Sequence, residues 1–277
     1  MTETGFFMPY LEGQSFFAIE WSPDGEPKGG ILLIHGLSEH AGRYRHVGSF
    51  FASAGYKSIV VDLRGHGKSF GKRGHFPSFD LIMDDISLFL AETKKHNPTL
   101  PIFLYGHSMG GNLVLNYLIR HKPPLAGAVV TSPWLRLNVK PPLFKIILAS
   151  MVNNLFPSLT QPDGINPIYL SHDEEVGKKY RADPLVHSKI SVRTFLEISL
   201  AGEYALKHAG LVTCPLLLMH GTSDSLTSFA ASLEFSEKMK VDHTFKAWDG
   251  LFHELHNEFE KETILGFIHE WLDQITV

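Results

Sequence analysis

Ile102-Phe103-Leu104-Tyr105-Gly106-His107-Ser108-Met109-Gly110-Gly111-Asn112-Leu113 is the stretch on which the architecture of this chain turns. Four apolar residues run into a G-x-S-x-G turn, and a helical pattern, Asn112–Arg120, follows. Strand, turn and helix in that order form the setting of a nucleophile elbow. The sharp turn lifts the serine hydroxyl above the sheet, and the glycines admit close backbone approach. A bare G-x-S-x-G match is weak, so the context carries the reading. A second match, Gly67-Lys68-Ser69-Phe70-Gly71, makes the point. It lies in the loop Arg64–Gly74 with no helical run behind it, so Ser69 reads as a loop residue. Its Gly-Lys-Ser also fails as a phosphate loop, because Asp62 stands where that motif needs its first glycine.

On either side of the elbow, short apolar runs alternate with helical patterns. Ile31–His35, Ser58–Leu63, Ile102–Tyr105, Gly127–Thr131, Leu216–His220 and Thr244–Trp248 read as strands. Helices are expected near 43–54, 79–96, 109–121, 226–239 and 256–274. Such alternation predicts right-handed crossovers and a mostly parallel central sheet flanked by helices. Runs near Gly5–Tyr10 and Ser15–Trp21 supply an antiparallel edge hairpin. The rhythm breaks after Ser132, where prolines cluster and the strands stop until about Val212. A segment of that length is too long for a plain loop. It predicts a helical cap over residues 133–210, inserted between two core strands, with 1–132 and 211–277 forming the core.

A serine hydroxyl attacks only when an imidazole takes its proton and a carboxylate orients that imidazole. After an elbow of this kind the chain order is serine, acid, histidine, which is that of the α/β-hydrolase fold. Asp224 follows the strand Leu216–His220 through Gly221-Thr222-Ser223, at the end of the strand where such sheets place functional groups. Asp249 competes for the acid role, while Asp242 precedes the last strand and lies at the wrong end. Beyond the last strand stand His253, His256 and His269. His253 sits in the turn after Trp248-Asp249-Gly250 and is the expected base, ahead of His256. The run His253–His256 is one residue short of the zinc motif H-E-x-x-H, so no metal is expected. The oxyanion needs backbone donors, expected at the N–H groups of Met109 and Leu37. His35 and the single cysteine, Cys214, read as structural.

The formal net charge of −4 gives no basic field to attract nucleic acid. The N-terminus lacks the basic and apolar regions of a secretory signal, and no apolar run approaches a membrane span. With one cysteine no intrachain disulfide forms, so a cytoplasmic location is expected.

Several segments together resemble the monoacylglycerol lipase and lysophospholipase branch of the α/β-hydrolases. They are His35–Tyr44, Asp62–Ser69, Gly106–Gly111, Ser132-Pro133-Trp134, Gly221–Asp224 and Phe252–Leu255. The resemblance implies cofactor-free hydrolysis of a medium- or long-chain acyl ester, most simply a monoacylglycerol. It also implies Leu37 and Met109 as oxyanion donors, with Glu39 and Arg43 shaping the glycerol end. A lysophospholipase, a general carboxylesterase and a non-catalytic binding protein of the same fold stay open as alternatives. In the cap, Pro142–Phe156 is apolar on nearly every side. Ile147, Leu148 and Met151 are therefore expected to line the acyl path, and the helix to touch a membrane surface transiently.

Overall fold

The computed structural model describes residues 1–95, 98–139 and 141–276, and at position 143 the backbone alone. The core elements run in chain order as follows. They are β1 (Thr2–Pro9), β2 (Ser15–Ser22), β3 (Gly29–Ile34), α1 (Arg45–Ser53), β4 (Tyr56–Val61), α2 (Phe79–Lys95), β5 (Ile102–His107), α3 (Met109–His121) and β6 (Gly127–Thr131). After β6 come α4 (Leu143–Leu155), β7 (Thr160–Pro162), α5 (Glu174–Ala182), β8 (Lys189–Ser191) and α6 (Val192–His208). The chain closes with β9 (Leu216–Gly221), α7 (Phe229–Glu237), β10 (His243–Trp248) and α8 (Lys261–Thr276).

Eight strands form one sheet in the order β1-β2-β4-β3-β5-β6-β9-β10. The β1–β2 and β2–β4 pairs are antiparallel and the rest parallel. Strands β3, β5, β6 and β9 are buried throughout. This is why they read as unbroken apolar runs rather than alternating ones. Successive residues face opposite layers. Leu32, Ile34 and Leu104 pack with α2 and α3, while Ile31, Leu33 and Phe103 pack with α1 and α8. Chain order reverses at β3, with β4 on one side and β5 on the other. Ligand sites of open α/β sheets open at such a switch point, beyond the carboxyl ends of the strands. Ile34 pairs with Gly106 there, so the loops after β3 and β5 leave the sheet side by side. The fold is that of the α/β-hydrolases.

The structure departs from the sequence expectations in three places. The last helix begins at Lys261 rather than 256, because Leu255–Asn257 forms a separate 3-10 turn and Glu258 is extended. The Glu258 carboxylate instead accepts from the Phe252 and His172 backbone N–H groups. Helix α7 starts at Phe229, capped by Ser228, because Asp224 holds the Leu226 and Thr227 N–H groups in a turn. The inserted segment, read as purely helical, also carries the antiparallel β7–β8 pair. His96, where the second helix was expected to end, lies outside the described residues.

Within 133–210 the helices differ. On α6, Ile198, Ala201, Ala205 and Leu206 are buried in the same cluster as α3, and Gly202 has no room for a Cβ against the Leu135 carbonyl. Helix α4 leaves Phe144, Leu148, Met151 and Leu155 more than half exposed. We propose to treat 133–210 as one cap unit rooted on the core through α6.

Candidate active site

Strand β5 ends at His107, and α3 begins at Met109. One residue makes the reversal, so Ser108 takes φ 54° and ψ −117°, a conformation L-residues rarely adopt. Such a residue costs on the order of 1–3 kcal/mol and persists only where its surroundings fix it. Here the surroundings are tight. A Cβ on Gly110 would lie 2.0 Å from the Ile34 carbonyl oxygen, and one on Gly106 would lie 2.6 Å from the Gly110 oxygen. Both glycines of the motif are therefore required by close approach.

The Ser108 hydroxyl is 2.9 Å from His253 Nε2, and His253 Nδ1 is 2.7 Å from Asp224 Oδ2. A carboxylate only accepts, so Nδ1 carries the imidazole proton and Nε2 is left to accept from the serine. Asp224 is held by further donors. Thr227 Oγ1 and His220 Nε2 meet Oδ2 at 2.9 and 3.0 Å, and the Leu226 and Thr227 N–H groups meet Oδ1. Burial pushes this carboxyl up, but His253 and His220 more than offset it, and the net shift is downward. Burial pushes His253 down, and Asp224 more than offsets that, so its pKa is raised. His107 packs against His253, with ring centroids 4.8 Å apart. Ser132 donates to the His253 carbonyl at 2.8 Å.

The rival residues lie elsewhere. Asp249 is exposed and accepts from Thr222. His256 is buried and stacks on Tyr44. Ser69 donates to the Asp62 carbonyl and accepts from the Phe17 N–H, so both its roles are taken by structure. Asp62 accepts from the Ala41 and Lys68 N–H groups. Arg64 pairs with Asp85. Cys214 is buried.

Two expected donors border the serine. Met109 opens α3, where first-turn N–H groups have no intrahelical acceptor. The loop after β3 passes so close that a Cβ on Gly36 would come 3.2 Å from the Ser108 Cβ, and the next residue, Leu37, lines the same cavity as Ser108. Behind it, Arg43 donates to Glu39 Oε2 at 2.7 Å and to both Glu254 oxygens at 2.7 and 2.8 Å. Burial raises the Glu39 pKa and Glu254 adds to it, with Arg43 opposing, to about 7. The ligand atoms of Glu39, His107 and Glu254 lie within 4.8 Å of one another. The Arg43 guanidinium already bridges both glutamates there, so a metal cation would meet a resident positive charge.

A cavity of about 310 Å³ lies above Ser108 and His253. Its apolar wall comes from Leu37, Trp134, Leu137, Ile165, Phe195 and Leu226. A second, apolar cavity of about 380 Å³ adjoins it across Trp134, Leu137 and Phe195, and Ile146 lines this one. Glu39 lines the first cavity, while Arg43 stands behind it. The expectation for α4 needs correction: Ile147, Leu148 and Met151 line neither cavity and are 48%, 58% and 62% exposed. Helix α4 rests on α6 through its other side, which turns these three side chains outward.

The profile of the serine aminopeptidase S33 family of hydrolases matches residues 25–260. The chain belongs to that family. Within it, this hydrolase is 33% identical to a monoacylglycerol lipase of Mycolicibacterium smegmatis, over 91% of this chain and 90% of the other. It is 30% identical to a phospholipase of Bacillus subtilis, over 92% and 98%. It also spans 27% of a longer abhydrolase-domain protein of Dictyostelium discoideum, at 39% identity over 92% of its own length. The crystal structure of a Paleococcus ferrophilus monoacylglycerol lipase superimposes with a TM-score of 0.86 at 33% identity, covering 94% of this hydrolase and 99% of that chain. The hydrolase is therefore a carboxylic ester hydrolase of the branch expected from its segments. Among the described residues no helix is long and apolar enough to cross a membrane.

Sequence reasoning missed several residues around the site. His220 and Thr227 flank Asp224, and the run Asp224-Ser225-Leu226-Thr227 carries the signature of a side chain capping its own turn. Tyr180, Asp163 and Phe195 reach the cavity from the cap, and nothing local in the sequence marks them.

Proposed function

We propose that this hydrolase cleaves monoacylglycerols to a fatty acid and glycerol by a serine acyl-enzyme route. The observation that carries the reading is the hydrogen-bond chain Ser108–His253–Asp224 at the floor of a cavity with an apolar wall and a polar end. Ser108 Oγ attacks the ester carbonyl carbon while His253 Nε2 takes its proton. The Leu37 and Met109 N–H groups receive the developing oxyanion. His253 then returns the proton to the departing glycerol oxygen. Water attacks the acyl-enzyme, again losing a proton to His253, and the fatty acid leaves as Ser108 is restored.

The apolar wall and the adjoining cavity support a long acyl chain, since each buried methylene contributes about 0.8 kcal/mol. The exposed apolar face of α4, with Lys145 beside it, supports transient contact with a lipid surface from which substrate enters. A location in the cytoplasm, peripheral to membrane, fits this reading. The test is a parallel assay of monoacylglycerols, lysophospholipids and short p-nitrophenyl esters, with acyl chains from four to twelve carbons. A rate that climbs with chain length on monoacylglycerol supports the proposal. A flat series, or faster turnover of lysophospholipid, overturns it in favour of an esterase or lysophospholipase.

A further inference from the structure

The loop that carries His253 is held from two sides. On the core side, Ser132 donates to the His253 carbonyl. On the cap side the holder is a single carboxylate, Glu258, which is fully buried. Its titratable partner among the described residues is the partly exposed His172. Glu258 Oε1 accepts from the N–H of Phe252, the residue before His253, at 2.7 Å. Its Oε2 accepts from the His172 N–H at 2.9 Å. His172 Nδ1 lies 3.0 and 3.2 Å from the two oxygens, and a carboxylate only accepts, so the imidazole donates. The His172 ring also stacks on the Phe252 ring, with centroids 3.8 Å apart. Two further bonds run beside these. The Leu170 carbonyl accepts from the Glu254 N–H at 2.7 Å, and Ser171 donates to the Asn257 carbonyl at 2.8 Å. Residues 170–172 thus grip the base loop both before and after His253. The same stretch of the cap reaches the cavity, where Ile165, Asn166, Tyr169 and Leu170 form part of the lining.

A buried carboxylate is costly unless several donors satisfy it, and packing alone does not call for one. The arrangement of donors does. Two backbone N–H groups, one from the loop and one from the cap, meet different oxygens, and only a carboxylate accepts on both. The charges that act most on His253 are those of Asp224, Glu254 and Glu39, so Glu258 acts on it through the backbone. We propose that Glu258 is a positioning residue that ties the loop of the base to residues 170–172, so that the cap sets where His253 Nε2 stands as well as covering the cavity. The inference rests on His253 as the base in the function proposed above.

The experiment measures kcat per active site, titrated to completion with a fluorophosphonate, on a short soluble p-nitrophenyl ester. Wild type, Glu258→Gln, His172→Ala and His253→Ala are run side by side. A role in folding alone would lower the number of titrated sites and leave kcat per site unchanged. Glu258→Gln turns an amide NH2 toward one of the two backbone donors. Its kcat per site should fall about 10- to 100-fold with KM within about threefold, as misplacement of a reacting group by about an ångström does. His172→Ala keeps the carboxylate but removes the imidazole donor and the stack on Phe252, and should lower kcat per site about three- to tenfold. Wild-type kcat per site in Glu258→Gln overturns the positioning role, and an unchanged His172→Ala overturns the link to the cap. If Glu258→Gln does not fold, His172→Ala carries the test, since its side chain is partly exposed. An active His253→Ala instead overturns the function on which the proposal rests, whatever the other variants do.

Discussion

Asp224 receives five hydrogen bonds, from His253, His220, the Thr227 hydroxyl and two backbone N–H groups, and its own carboxylate is buried. Ile147, Leu148 and Met151 on α4 are about half exposed or more and line neither cavity. In the proposed function the chemistry falls to polar groups each held by several partners, and access to it to apolar groups held by few. Removing one donor from an over-determined cluster leaves the others in place, whereas α4 meets α6 through apolar side chains and the hydrogen bond that Arg193 Nε donates to Asn153 Oδ1 at 3.1 Å. The floor of the cavity is therefore expected to be intolerant and its roof adjustable.

The largest effect should come from Ser108→Ala, with kcat falling by about four to six orders of magnitude while the fold is kept. A fluorophosphonate probe should label wild type and not this variant. Labelling that survives here but disappears in Ser69→Ala would reverse the assignment of the elbow. Asp224→Asn should cost roughly 10⁴-fold by presenting the wrong imidazole tautomer, while Asp249→Asn stays near wild type. The same variant sharpens the electrostatics. His253 has a raised pKa, and a protonated imidazole cannot accept the Ser108 proton, so kcat/KM should fall as pH drops through that raised value. Without the Asp224 charge burial dominates, and the acid limb should move to lower pH. A limb that stays in place would separate the titration from this pair.

Arg43→Met probes the wall behind the floor. It strands Glu39 and Glu254 as buried, unpaired carboxylates, for a loss of about 3–5 kcal/mol in unfolding stability. Chemical denaturation measures it, and a loss below about 1 kcal/mol would mean that the two acids protonate or hydrate at little cost. The smallest effect belongs to the roof. The double variant Ile147→Ser, Leu148→Ser should leave stability within about 1 kcal/mol, since both side chains are already largely exposed. It should lower turnover of monoacylglycerol in vesicles severalfold and spare a short soluble ester. Equal losses on both would make α4 part of the packed site.

The legibility of the sequence follows the same division. The elbow was readable because a buried parallel strand must be continuously apolar and the turn after it must be small. Asp224 and His253, the proposed acid and base, each follow a strand end, where chain order restricts the choice, and the structure brings them together with Ser108. Ile147, Leu148 and Met151 were misplaced because a helix apolar all round does not say which side faces a cavity. Asp163 and Tyr180 were not visible, since each reaches the cavity through the path of the cap rather than a local pattern.

The hydrogen bond between Ser108 and His253 joins residues 145 positions apart. His253 hangs from β10, an edge strand and the least buried of the parallel set, whereas Ser108 follows a fully buried strand. Segments with little burial open before the whole molecule does. Detachment of the C-terminal edge would remove the base while most of the sheet is intact. In a denaturant titration, catalysis should accordingly vanish ahead of the helical circular dichroism signal, and a tether between β10 and β9 should bring the two transitions together.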